Sequence, residues 1–287
     1  MIISTHKISE GITLTTRSPS GGKKRPAIIL CHGFCGIREI LLPKFAEVFT
    51  QAGFVTITFD YRGFGDSDGE RGRLIPEMQI DDIVTVINWA KEQPFINKER
   101  VGLWGTSLGG GHVFGAAVKG GGVKCIVSQL AFADGEKNIT HHMSSEEKKE
   151  FISTLEKLDA VKKASGREKF VSITRVLNDN ESKKFFEENR TQYPDMDIKI
   201  PFLTVKEMLD YKPVQYAAQV TCPSLIVVAE KDTVNPKEQG IELYNSVMHE
   251  DKKLYFVNNA RHYDTYSGEY FDEISAVETE WFKYYLL

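Results

Sequence analysis

Apolar residues fall along this chain in two alternating patterns. Short apolar-rich runs end in polar loops, and between them lie stretches with apolar positions three and four apart. Residues 27–31, 54–59, 101–104, 123–130, 223–229 and 253–257 are of the first kind and read as strands. The run 27–31 is continuously apolar, as expected of a strand buried on both faces. Residues 42–52 (closed by Gly53), the face formed by Ile80, Ile83, Val84 and Ile87, and residues 108–118, 236–247 and 271–286 read as helices. Residues 8–16 alternate instead, with Ile8, Ile12 and Leu14 on one parity. That predicts an N-terminal strand or hairpin with one exposed face, followed by a polar turn over 18–26. Strands and helices alternate from 27 to 130, so the fold class is α/β, a mostly parallel central sheet flanked by helices.

The alternation stops near Ala133. From 134 to 213 the text is charged and helix-forming, with Phe151, Leu155 and Leu158, then Phe170, Ile173 and Leu177, near helical spacing. Only residues 200–203 look strand-like. A helical insertion of about 80 residues is expected, the size of a small domain. The core is then 1–133 together with 214–287.

Composition narrows the class. The chain has 287 residues and a net charge of −4. It therefore lacks the basic footprint of a nucleic-acid binder or of a protein drawn to an anionic membrane. No run approaches the roughly 18 apolar residues of a membrane span, and the N-terminus has no secretory pattern. Cys31, Cys35, Cys125 and Cys222 are scattered. They read as reduced thiols in a cytoplasmic protein. Cys31 and Cys35 lack the second Cys/His pair of a zinc set, so neither a metal nor another cofactor is expected. The sequence does not set the oligomeric state and leaves a homodimer open.

The candidate chemistry starts at Gly105-Thr106-Ser107-Leu108-Gly109, between a strand and a helix. A nucleophilic serine must stand on a very tight strand-to-helix turn. Side chains two residues to either side would collide with the neighbouring elements, and glycine removes them. The bland alternative is a glycine-rich phosphate loop. A Walker loop needs Gly-Lys-Ser/Thr, which is absent, and a dinucleotide fingerprint belongs near a first strand. A serine hydroxyl also needs a histidine base, and the base a carboxylate. Loops at the carboxyl ends of later strands supply Asp232 and His262, giving the order Ser107, Asp232, His262. Glu230 reads as strand, and Asp264 would have to fold back onto His262. His32 reads as a shaper of its turn and His112 as packing. His141 and His142 read as solvent-facing, and Asp60 and Arg62 as a structural ion pair.

With these positions in place, the chain resembles the α/β-hydrolase superfamily. The resemblance rests on His32-Gly33-Phe34, Asp60-Tyr61-Arg62-Gly63-Phe64-Gly65-Asp66-Ser67, the Ser107 pentapeptide, Asp232 and His262. Within the superfamily it looks closest to the dienelactone-hydrolase-like and S15-peptidase-like branch. The resemblance implies an α/β-hydrolase fold with a helical lid insertion above Ser107. It implies that Ser107 attacks a carbonyl carbon, His262 carries the proton and Asp232 orients His262. Backbone N–H groups of Phe34 and Leu108 form the oxyanion hole. Phe170, Phe185, Phe186 and Phe202 pack the lid or wall the pocket. The implied activity is metal-independent cleavage of a small-molecule carboxylic ester or thioester through an acyl-enzyme. The same three residues also serve peptidases, carbon–carbon hydrolases and acyltransferases, and the fold is sometimes reused for binding alone.

Overall fold

The computed structural model describes all residues, Met1–Leu287. Its frame is an eight-stranded sheet built from β1 (Ile2–Lys7), β2 (Thr13–Ser18), β3 (Arg25–Cys31), β4 (Val55–Phe59), β5 (Ile96–Thr106), β6 (Val123–Gln129), β9 (Ser224–Ala229) and β10 (Lys252–Val257). The spatial order is β1-β2-β4-β3-β5-β6-β9-β10. β1 and β2 are antiparallel to their neighbours, and the other pairings are parallel.

Strand alternation divides the core. Ala27, Ile29 and Cys31 of β3 enter one apolar layer with α2 (Pro76–Glu92), α3 (Leu108–Gly120) and α9 (Lys237–Ser246). Ile28 and Leu30 enter the opposite layer with α1 (Leu42–Gln51) and α10 (Gly268–Leu286). Both faces of β3 are therefore covered, which is why its sequence is an unbroken apolar run. The active loops project from the carboxyl edge of this buried frame.

The N-terminus differs from the alternation-based expectation. β1 begins at Ile2, and its burial does not alternate cleanly, with Ile2 and Ile3 both exposed. It is placed instead by pairing with β2, from Ile2 opposite Ser18 to Lys7 opposite Thr13. Glu10 and Gly11, at φ 60° and 67°, turn the chain between the two strands.

Between β6 and β9 lie α4 (Gly135–Thr140), α5 (Ser145–Ser165), α6 (Asn180–Asn189), α7 (Thr204–Asp210) and α8 (Pro213–Ala217). Two short strands, β7 (Phe170–Ser172) and β8 (Lys199–Pro201), pair with each other. Asp134, Ser144 and Asp179 accept N–H groups at the starts of α4, α5 and α6, satisfying helix ends that would otherwise lack partners. Ile173, Phe186, Met196, Ile200 and Met208 of this segment join the α2/α3 layer. The segment's own cluster is small: Leu155, Val205 and Leu209. Arg73 of the core clamps both carboxylate oxygens of Glu168, at 2.9 and 2.6 Å. That guanidinium holds the Glu168 carboxyl below its usual range. The segment is thus seated on the core rather than folded around a centre of its own.

Candidate active site

Ser107 sits between β5 and α3 with φ 54° and ψ −121°. A positive φ at a residue bearing a side chain is strained and needs support from its surroundings. Ser107 N–H donates to the Gln129 carbonyl of β6 at 2.8 Å. A Cβ on Gly105 would run into the Gly109 carbonyl, and one on Gly109 into the carbonyls of Cys31 and His32. The two glycines of the pentapeptide are therefore required by close backbone approach on both sides of the turn.

His262 follows β10 and Asp232 follows β9, and both are buried. Asp232 Oδ2 accepts from His262 Nδ1 at 2.7 Å. Its Oδ1 accepts the backbone N–H groups of Val234 and Asn235, each at 2.8 Å. With Nδ1–H committed to Asp232, Nε2 is the imidazole nitrogen able to accept a proton. Glu230 has left the strand and accepts Asn259 N–H, and Asp264 accepts Arg261 N–H. Neither is hydrogen-bonded to His262.

Asn235 was not singled out by the sequence. Its Nδ2 donates to Ser107 Oγ at 3.3 Å and to the Leu130 carbonyl at 2.7 Å. Its Oδ1 accepts from Asn138 Nδ2 of α4 at 2.9 Å. Ser107 Oγ has this one hydrogen bond and none to His262. An asparagine before Pro236 reads as ordinary turn chemistry. Its place three residues after Asp232 was the available signal.

The other candidates separate by environment. His32 Nε2 lies 3.0 Å from the Ile40 carbonyl, and burial pushes the imidazole down to about 4. It braces the turn: a Cβ on Gly36 would strike its ring. That turn brings Gly33 so close that its Cβ would lie 3.1 Å from Ser107 Cβ. The next residue, Phe34, makes no intramolecular hydrogen bond through its N–H. Leu108 opens α3, so its N–H has no carbonyl one turn back in the helix. His112 is buried between Tyr211 Oη and Gln79 Oε1, at 2.9 Å each, and burial pushes it down to about 3. Asp60 and Arg62 do not pair with each other. Asp60 binds Arg38, and Arg62 binds Asp82. Two interlocked ion pairs thus brace the loop, because each charge finds its partner on a segment distant in sequence.

A cavity of about 700 Å³ opens over Ser107. The core contributes Phe34, Leu108, Asn235, His262 and Tyr263, and the inserted segment contributes Phe151, Phe185, Phe186, Phe202 and Met208. Phe170 is not in its wall and is exposed to 43%. His141 and His142 are exposed and also line the cavity.

The family model described as serine aminopeptidase, S33, matches residues 22–264. The match is to S33, whereas the motifs pointed towards the dienelactone-hydrolase-like and S15-like branch. An Escherichia coli protein described as an uncharacterized 31.7 kDa protein in the traX-finO intergenic region is 61% identical over 100% of both chains. The thiohydrolase aneE of Aspergillus aculeatus is 25% identical, covering 94% of this chain and 88% of its own. Among solved structures, DcsB in complex with its substrate analogue superposes with a TM-score of 0.84 at 23% identity, covering 99% of each chain. That likeness speaks for the fold alone.

Proposed function

The chain belongs to the α/β-hydrolase family described as serine aminopeptidase, S33, and from that premise we propose that it cleaves an acyl ester or thioester through an acyl-enzyme on Ser107. One observation carries the reading. A serine at a strained strand-to-helix turn and an Asp232-bound His262 line the same largely apolar cavity.

Ser107 Oγ attacks the carbonyl carbon while His262 Nε2 takes the hydroxyl proton. For this, Oγ exchanges its contact with Asn235 Nδ2 for one with Nε2; such hydrogen bonds commonly tighten only once substrate is bound. The negative charge on the carbonyl oxygen is met by the N–H groups of Phe34 and Leu108. Collapse breaks the carbon–oxygen or carbon–sulfur bond, and His262 returns its proton to the departing atom. Water then attacks the acyl-serine, His262 takes one water proton and passes it to Ser107 Oγ, and the carboxylic acid leaves. Asp232 keeps Nδ1 protonated throughout and stabilises the transient imidazolium. The inserted segment serves as a lid that walls the acyl site, and the four free, buried cysteines suit a reducing cytoplasm.

An aminopeptidase needs an anion for the substrate ammonium. The only carboxylate in the cavity wall is Asp179, which also caps α6 by accepting the Ser182 N–H on Oδ1. Ester cleavage is favoured by the predominantly apolar side chains that form the rest of the interior. Nitrophenyl esters and acyl thioesters assayed beside aminoacyl nitroanilides decide between them. Turnover of the esters is expected, and nitroanilide cleavage without ester cleavage would reverse the assignment.

Because the Asn235–Ser107 contact is given up before attack, Asn235→Ala is expected to leave kcat/KM for a nitrophenyl ester within about threefold of the wild type or to raise it. The Leu130 carbonyl and the Asn138 amide lose a partner, which lowers thermal stability by about 1–3 kcal/mol. A fall of more than about tenfold in a stably folded variant would show that Asn235 stays on the serine in the transition state.

A further inference from the structure

Ser107 and His262 reach the site from strands that do not touch. Ser107 follows β5 and His262 follows β10, with β6 and β9 between them. Three strand intervals are about 14 Å at ordinary sheet spacing, so no ladder hydrogen bond joins the two strands. The bond to Asp232 fixes His262 against the loop after β9. It does not set the distance from the imidazole to Ser107.

A single hydrogen bond joins the turn carrying His262, residues 258–267, directly to the turn carrying Ser107, residues 105–109. Tyr266 Oη lies 2.6 Å from Thr106 Oγ1, and the bond is buried. Thr106 immediately precedes Ser107. Its hydroxyl also accepts from Gln129 Nε2 at 3.2 Å, and the Gln129 backbone carbonyl holds the Ser107 N–H. Tyr266 ends the 3-10 turn Tyr263–Tyr266, which begins directly after His262. Inside that turn the fully buried Thr265 donates from Oγ1 to the His262 carbonyl at 3.0 Å. The Tyr266 ring is anchored in the α1/α10 layer, edge-on to Phe45. A buried phenol is costly to leave without a partner, and Thr106 supplies it.

We propose that Thr106 and Tyr266 are positioning residues: their hydrogen bond sets the span between base and nucleophile. This rests on the acyl-enzyme reading above. At rest Ser107 Oγ contacts Asn235 and not His262, so the reacting pair does not itself hold the two turns at attack distance. The bridge bears on Thr106 rather than on the reacting hydroxyl. It therefore stays in place while Oγ moves from Asn235 to His262 Nε2.

Tyr266→Phe removes one oxygen and keeps the ring against Phe45. With a nitrophenyl ester, kcat and kcat/KM are expected to fall together by about tenfold at constant KM, less than the roughly 100-fold that a misplacement of about 1 Å can cost. Fluorophosphonate labelling of Ser107 should slow by the same factor. Both residues line the cavity, so a role as wall alone would raise KM at constant kcat. A purely structural role would lower the melting temperature and leave kcat of the folded protein unchanged. Either result overturns the proposal.

Thr106→Val removes the other hydroxyl at nearly constant shape. The double variant should be no slower than Thr106→Val alone, because both changes break the same bond. Losses that multiply contradict the proposal, and Tyr266→Phe decides alone if the valine variant does not fold. Thr106→Ser should recover most of the rate lost in Thr106→Val; failure to do so assigns that loss to packing and overturns the bridge. If the wild type is labelled at Ser107 and cleaves the ester while Tyr266→Phe matches it, this inference falls and the acyl-enzyme reading stands. If the wild type takes no label and cleaves no ester, both fall.

Discussion

Ser107→Ala is expected to reduce kcat/KM for an activated acyl ester by at least about 10⁴-fold, since removal of a triad nucleophile abolishes the covalent route and leaves only binding and oxyanion stabilisation. Little stability should be lost with it. Ser107 Oγ makes a single hydrogen bond, at 3.3 Å from Asn235, and alanine meets the same positive φ that serine already tolerates. Circular dichroism and thermal melting should therefore match the wild type. A variant that keeps its activity within tenfold would remove Ser107 from the chemistry.

The second large effect is at Asp232. Asp232→Asn should lower kcat by about 10⁴ with KM little changed, because an amide facing Nδ1 donates rather than accepts and drives the imidazole to the wrong tautomer. The loop should survive the change. Asn Oδ1 can still accept from the Val234 and Asn235 N–H groups that now bind Asp232 Oδ1. Asp232→Ala should also destabilise, by about 1–3 kcal/mol, because the buried Asn235 N–H and the part-buried Val234 N–H are left unpaired. Steady-state kinetics on the two variants, with melting curves, separate the tautomer effect from the structural one. A fall of less than tenfold in the asparagine variant would mean that another group orients His262.

β3 was legible because burial on both faces forces an unbroken apolar run, and the largely buried β4, β6 and β9 because they are rich in apolar and β-branched residues. β10 lies at the sheet edge with only Val257 buried, so its apolar run 254–257 marked a strand but not one covered on both faces. The loops after β5, β9 and β10 were legible because nucleophile chemistry needs glycine, serine, aspartate and histidine at strand ends. What was not legible depends on partners far away in the chain. β1 is a strand through its pairing with β2. Arg38, rather than Arg62, takes Asp60, since an ion pair leaves no periodic signal in the text. Asn235 is the same case: its amide gains meaning only when Ser107, Leu130 and Asn138 are brought around it. The inserted segment is helical in the main, as its charge and spacing suggest, and the strand-like run 200–203 overlaps β8. Phe170, Ile173 and Leu177 do not share a helix. Phe170 lies in β7 and Ile173 in a 3-10 turn, a break that the spacing did not show because a three-residue strand carries too little alternation to register.

Covalent labelling examines the nucleophile directly. The full-length protein is treated with a fluorophosphonate, its intact mass is recorded, and the modified peptide is sequenced. A single adduct on Ser107 is expected, absent from Ser107→Ala and formed far more slowly in His262→Ala. An adduct on another residue, or ester turnover by a protein that takes up no label, would contradict a serine nucleophile at this turn.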